Sequence, residues 1–164
     1  MTSASPTMSF DEARRILAAF EAEGVRYVLV GAMAMAAQGL IRATRDIDFF
    51  VSADPENVER LRRALFALYD DPNVEEITAE DLAGYYPAIE YSPPHGRYSM
   101  DILARLGEAF RYEDLESHEV VVEGVRIRVA TPRMLYEMKR NTVRPQDRLD
   151  AEAIRERFGL EEED

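Results

Sequence analysis

Phe10, Ala13, Leu17 and Phe20 recur three and four positions apart, the spacing that lines one face of a helix. Ser9, with Glu12 three residues on, supplies a capping-box start, and Gly24 supplies the stop. The period then changes. Arg26-Tyr27-Val28-Leu29-Val30 is a short apolar run halted by Gly31 and reads as a strand. Ala32 to Ala37 is a small-residue helical stretch in which Met33 and Met35 are adaptable core filler, and Gly39 follows it. Asp46 to Val51 is a second strand, polar at its head and apolar at Phe49-Phe50-Val51.

Asp54-Pro55 starts the next helix, with Val58, Leu61, Leu65, Phe66 and Leu68 as its buried stripe, and Asp70 to Asn73 ends it. Val74 to Tyr86 is the least patterned stretch, with a short helix expected over Glu80 to Leu82 and a role as a flexible cover near a site. Ala88 to Ser92 and Arg97 to Leu103 read as strands joined by the turn Pro93 to Gly96. Glu119 to Val122 and Val125 to Ala130 form a hairpin across Glu123-Gly124. Thr131-Pro132 opens a helix carrying Met134, Leu135 and Met138. Arg144-Pro145 breaks the chain before a last helix with Leu149, Ala153, Ile154 and Phe158, closed by Gly159. This order predicts a single α+β domain over 1–164, a mixed β-sheet flanked by helices, with residues 132–159 as two C-terminal helices and 1–8 disordered.

Composition narrows the setting. A hydrophobic fraction of 46% over 164 residues is enough for one real core. No apolar run has the length of a membrane span and no signal peptide opens the chain, so no membrane role is expected. The absence of cysteine excludes disulfides and thiolate metal sites and fits a cytoplasmic enzyme. A net charge of −12 argues against a general nucleic-acid binder; the tail Glu161 to Asp164 contributes to it as a solvated acidic end.

The candidate chemistry lies between Gly31 and Val51. Side chains alternate along a strand, so Asp46 and Asp48 point to one face. Two carboxylates so placed make a hard-oxygen cup suited to magnesium. A glycine at the end of the preceding strand lets a phosphate approach the backbone. Asp101 lies within the apolar strand Tyr98 to Leu103, where a carboxylate is costly unless paired, metal-bound or exposed. An isolated Asp-x-Asp is most simply a solvated strand end, but a third strand carboxylate and a glycine-closed strand favour a phosphate-and-metal site. His95 and His118 have no nucleophile near them in sequence; Tyr85, Tyr86 and Tyr91 suit a core edge better than a base clamp.

Gly31-Ala32, Gly39 and the run Arg42-x-Thr44-x-Asp46-x-Asp48 resemble the signature of the nucleotidyltransferase superfamily with the DNA polymerase beta-like fold, and look most like the AbiEii-type stand-alone bacterial enzymes. The resemblance implies that two magnesium ions, about 4 Å apart in such sites, are held by Asp46, Asp48 and Asp101, with Asp101 beside the acceptor hydroxyl. It implies nucleotide contacts for Gly31, Ala32, Arg42 and Thr44. Ala32 departs from the Gly-Ser pattern of the minimal antitoxin-type enzymes, so the hydroxyl that branch places on the phosphate is missing. Lys139 is the only lysine in the chain. With Arg144 and Asp147 it resembles the AbiEii-type C-terminal Lys, Arg, Asp motif, which implies nucleotide contact for Lys139 and Arg144 and a supporting role for Asp147. Gln146 stands where those families often carry a second lysine.

The expected function is magnesium-dependent transfer of a nucleoside monophosphate from a nucleoside triphosphate, ATP among them, to a hydroxyl on RNA, protein or a small molecule. An alternative is a toxin–antitoxin component of the same fold that acts mainly by binding a protein or nucleic-acid partner. A third is an antibiotic-adenylating enzyme, for which the chain is short.

Overall fold

The computed structural model describes residues 9–39, 46–84, 88–94, 98–106, 110–140 and 145–160. The chain opens with α1 (Phe10–Glu23), whose first turn is capped by the Ser9 hydroxyl accepting from Glu12 N and whose end is a left-handed Gly24. Next come β1 (Tyr27–Val30), α2 (Gly31–Ala37), β2 (Asp46–Val51) and α3 (Pro55–Tyr69). A 3₁₀ turn (Pro72–Glu76) and α4 (Ala79–Ala83) lead to β3 (Ala88–Tyr91) and β4 (Ser99–Leu103). A small hairpin of β5 (Arg105–Leu106) and β6 (Phe110–Arg111) precedes β7 (Ser117–Val122), β8 (Val125–Ala130), α5 (Pro132–Arg140) and α6 (Pro145–Phe158). Among the described residues no helix is long and apolar enough to cross a membrane.

Six strands form one mixed sheet in the order β3-β4-β2-β1-β8-β7 among the described residues. β2 runs antiparallel to β1 and parallel to β4; β1 runs parallel to β8, and the β3 and β7 edges are antiparallel to their neighbours. Alternation gives the sheet two different faces. Ile47, Phe49, Met100 and Ile102 face α1 and α3, where Phe20, Tyr27 and Phe49 pack ring against ring. Asp46, Asp48, Ser99 and Asp101 lie on the other face, the side of α2 and α5.

One buried polar side chain ties the strand ends to α3. Asn57 is fully buried, accepts from Arg26 N at 2.7 Å, and donates to Arg26 O at 3.1 Å and Ser52 O at 2.8 Å. All of its amide bonds go to backbone where β1 starts and β2 ends, beside the Ser52 N to Arg26 O bond at 3.4 Å that closes the strand pair there.

Three expectations are corrected. The segment after α3 is no loose cover: Val74, Ile77 and Leu82 are buried, and Arg62 Nη1 donates to Ile77 O at 2.6 Å. It packs on the α3 side, where Tyr91 donates to Asp71, and so lies across the sheet from the aspartates. Phe66 is 46% exposed and falls outside the buried stripe of α3, whose inward positions are Asn57, Val58, Leu61, Ala64 and Leu65. In α6 Leu149 is 65% exposed, and the inward face is Asp150, Ala151 and Ile154. The helix turns toward the charge pairing of Asp150 and leaves one leucine in water.

Candidate active site

The parallel pairing of β2 with β4 builds the site. Asp48 stands opposite Asp101 and Asp46 opposite Ser99. Residues in register on neighbouring strands share a face, so all three carboxylates project to the same side. The strands that carry them are far apart in sequence, and only this pairing brings Asp101 to the Asp-x-Asp pair. Ser99 Oγ donates to Asp46 Oδ1 at 2.6 Å, which holds that carboxylate over β4.

Asp48 carries the electrostatic cost of the arrangement. Burial pushes its carboxyl up to about 7; a hydrogen bond with Asp101 and the charges of Asp101 and Asp46 add to the rise, and Lys139 opposes it. A carboxyl in this position shares a proton at neutral pH unless a cation takes the proton's place. Gly31 makes the room. Its φ is +74°, and a Cβ there would overlap Asp48 Oδ2 and lie 3.0 Å from Asp48 Cγ. The glycine that the sequence suggested for phosphate access has a direct structural reason: it clears space for the carboxylate.

Lys139 approaches from α5. Its ammonium lies 3.3 Å from Asp147 Oδ1 and 3.1 Å from Asp150 Oδ2, both on α6, and Gln146 Nε2 donates to Asp150 Oδ1 at 3.0 Å. Sequence reasoning singled out Lys139 and Asp147 but passed over Asp150; a charged residue in step with Ala151 and Ile154 was the available signal.

The donor set fits a hard divalent cation, since every candidate ligand is a carboxylate oxygen and the Asp48–Asp101 pair is in need of positive charge. Among the described residues no group of three or more acidic, histidine or cysteine side chains is arranged to hold a metal ion. Asp48 and Asp101 meet, while Asp46 is drawn to Ser99. Ala32 is buried, at 6% exposure. Arg42, Thr44 and Arg144 lie outside the described residues, as do Tyr85, Tyr86 and His95. Tyr91 is a core-edge residue, and His118 Nε2 pairs with Gln38 Oε1 at 3.0 Å.

Comparison with known proteins bears on the same residues. A family model described as "Nucleotidyl transferase AbiEii toxin, Type IV TA system" matches residues 15–139, a span that includes Gly31, Asp46, Asp48, Asp101 and Lys139. No curated protein matches the chain in sequence. Among solved structures, TM1012 of Thermotoga maritima, assigned as a nucleotidyltransferase, is similar at 18% identity and a TM-score of 0.54, with 93% of each chain covered. An antigenic nucleotidyltransferase-like protein of Paracoccidioides brasiliensis is similar at 14% identity and a TM-score of 0.56, over 91% of this chain and 78% of that one. ANT(2'')-Ia, solved in complex with adenylyl-2''-tobramycin, gives 14% identity and a TM-score of 0.56 over 90% of this chain and 87% of its own. At such identities the structures establish a shared nucleotidyltransferase fold, and the family match extends across most of the sheet and both strands of the aspartate site. The chain belongs to the AbiEii family of nucleotidyl transferases.

Proposed function

We propose that Asp46, Asp48 and Asp101 hold two magnesium ions and that the chain transfers a nucleoside monophosphate from a nucleoside triphosphate to a hydroxyl. The observation that carries this reading is the register of Asp48 against Asp101, with Asp46 on the same face. Bound magnesium would supply charge neutralisation of the phosphates and polarisation of the α-phosphorus. The chain's own residues orient the reactants. Asp101 takes the proton of the acceptor hydroxyl as its oxygen bonds to the α-phosphorus. The bond from that phosphorus to the bridging oxygen breaks, and pyrophosphate leaves with the electron pair. Lys139 offers a compact positive charge to the phosphates, as the resemblance implies for Arg42, Thr44 and Arg144. Transfer of this kind depends mainly on positioning and charge.

The test is incubation with each labelled nucleoside triphosphate, magnesium and candidate acceptors drawn from RNA, protein and amino sugars. Magnesium-dependent transfer that is lost in Asp46→Asn and in Asp48→Asn is the expected result; full activity in both variants overturns the reading.

The family description also names a toxin of a type IV toxin–antitoxin system, which favours a second proposal, that the protein works alongside an antitoxin partner. A tight partner that co-purifies, with no metal-dependent triphosphate turnover by the chain, would favour a binding role over catalysis.

A further inference from the structure

We propose that Asp150, steadied by Gln146, is a positioning residue that fixes the Lys139 ammonium for nucleotide binding at the aspartate site. The inference rests on the nucleotidyltransferase reading above and adds to it a residue outside the Lys, Arg, Asp motif.

Both oxygens of Asp150 are used. Oδ2 receives Lys139 Nζ at 3.1 Å and Oδ1 receives Gln146 Nε2 at 3.0 Å. The side chains of Lys139, Asp147 and Asp150 are 14%, 15% and 7% exposed, so this is no solvent-screened surface pair. A flexible four-carbon ammonium held between two buried carboxylates has little freedom left, and the freedom is removed before any ligand arrives. α5 also packs against α2, which opens at Gly31 beside Asp48, so the Lys139 charge serves α6 and the carboxylate face of the sheet at once. Gln146 matters by being neutral. A lysine there would bring a second cation to Asp150 and divide its charge, whereas the amide orients Asp150 and leaves the charge to Lys139. This also explains why α6 turns Asp150 inward and Leu149 out.

The simpler alternative is a staple that only fastens α5 to α6. Nucleotide binding separates the two. With a single lysine in the chain, ¹³C-lysine labelling gives one side-chain resonance to follow. Full-length protein is titrated with magnesium and each of ATP, GTP, CTP and UTP, reading the dissociation constant and that resonance. The expected result is a lysine signal that moves on nucleotide addition, and binding about 10-fold weaker in Asp150→Asn, as for loss of a supporting group behind a ligand-contacting one. Asp150→Glu should recover most of the loss. In a Lys139→Met background, Asp150→Asn should add nothing.

Wild-type affinity in Asp150→Asn, or an equal loss with and without Lys139, overturns the proposal and leaves the staple. If Asp150→Asn fails to fold, Gln146→Leu keeps every charge and removes only the steadying bond; binding unchanged from wild type there overturns the proposal too. Absence of binding by the wild type to all four nucleotides would instead sink the nucleotidyltransferase reading, and this inference with it.

Discussion

Asp48 occupies the space that any side chain at residue 31 would fill. Gly31 has φ +74°, and its missing Cβ is the clearance for Asp48 Oδ2. Gly31→Ala should fail twice, through a conformation that L-residues rarely adopt and through displacement of a carboxylate. We expect a loss of about 1–3 kcal/mol in stability from the backbone alone, with metal-dependent transfer falling below detection before the protein unfolds. Urea denaturation and a transfer assay on the same preparation check this; wild-type activity in the variant would show that Asp48 has room to move.

Asp46→Asn, Asp48→Asn and Asp101→Asn should each lower the transfer rate by about 10²–10⁴-fold, because a metal-held carboxylate contributes several kcal/mol to the transition state. Ser99→Ala should be mild, since Ser99 holds Asp46 through one hydrogen bond and no partner is left charged and buried by its removal.

The raised carboxyl of Asp48 makes stability depend on pH in a defined direction. Its folded value of about 7 lies above the ordinary 3.8, so the folded protein keeps a proton that the unfolded chain releases. Stability therefore falls as pH rises through that window and levels off above it. In metal-free protein the thermal midpoint should drop between these two values relative to Asp48→Asn. Magnesium should raise the midpoint more at the high end of the window, where it does not compete with a proton. Parallel pH curves for wild type and Asp48→Asn would contradict this.

Asn57→Ala should cost about 2–3 kcal/mol, because it takes the Asn57 amide away from the half-buried Arg26 N–H and the buried Ser52 carbonyl. The assay is equilibrium denaturation. Residual activity per folded molecule should be unchanged, since the bonds lie at the far ends of β1 and β2 from Gly31 and Asp46.

On α6, Ile154→Ala should cost about 2–4 kcal/mol as a buried deletion, whereas Leu149→Gln should stay within about 0.5 kcal/mol of wild type. A cost for Leu149→Gln as large as that for Ile154→Ala would restore the face expected from apolar spacing, which held both residues.

Local chemistry was readable in the sequence wherever one or two residues decide it. Ser9, Gly24, Asp54 with Pro55, and Thr131 mark helix ends because each satisfies or releases a specific backbone group, and the structure places their caps there. Asp101 stood out because a carboxylate among apolar strand residues needs a partner. The two-residue strands β5 and β6 are too short to show any period. Asn57 is invisible for a different reason: a polar residue in a polar stretch of helix looks solvated until the strand ends beneath it are known. Leu149 misled because hydrophobic spacing ignores charge pairing, and the partner of Asp150 sits on another helix.

β2 has a hydrogen-bonded neighbour on each side, β1 and β4. The backbone beneath Asp46 and Asp48 is thereby clamped along both edges and has no slack to shift as a ligand comes and goes. Reorientation of the carboxylates themselves then falls to side-chain rotation over a floor that stays still.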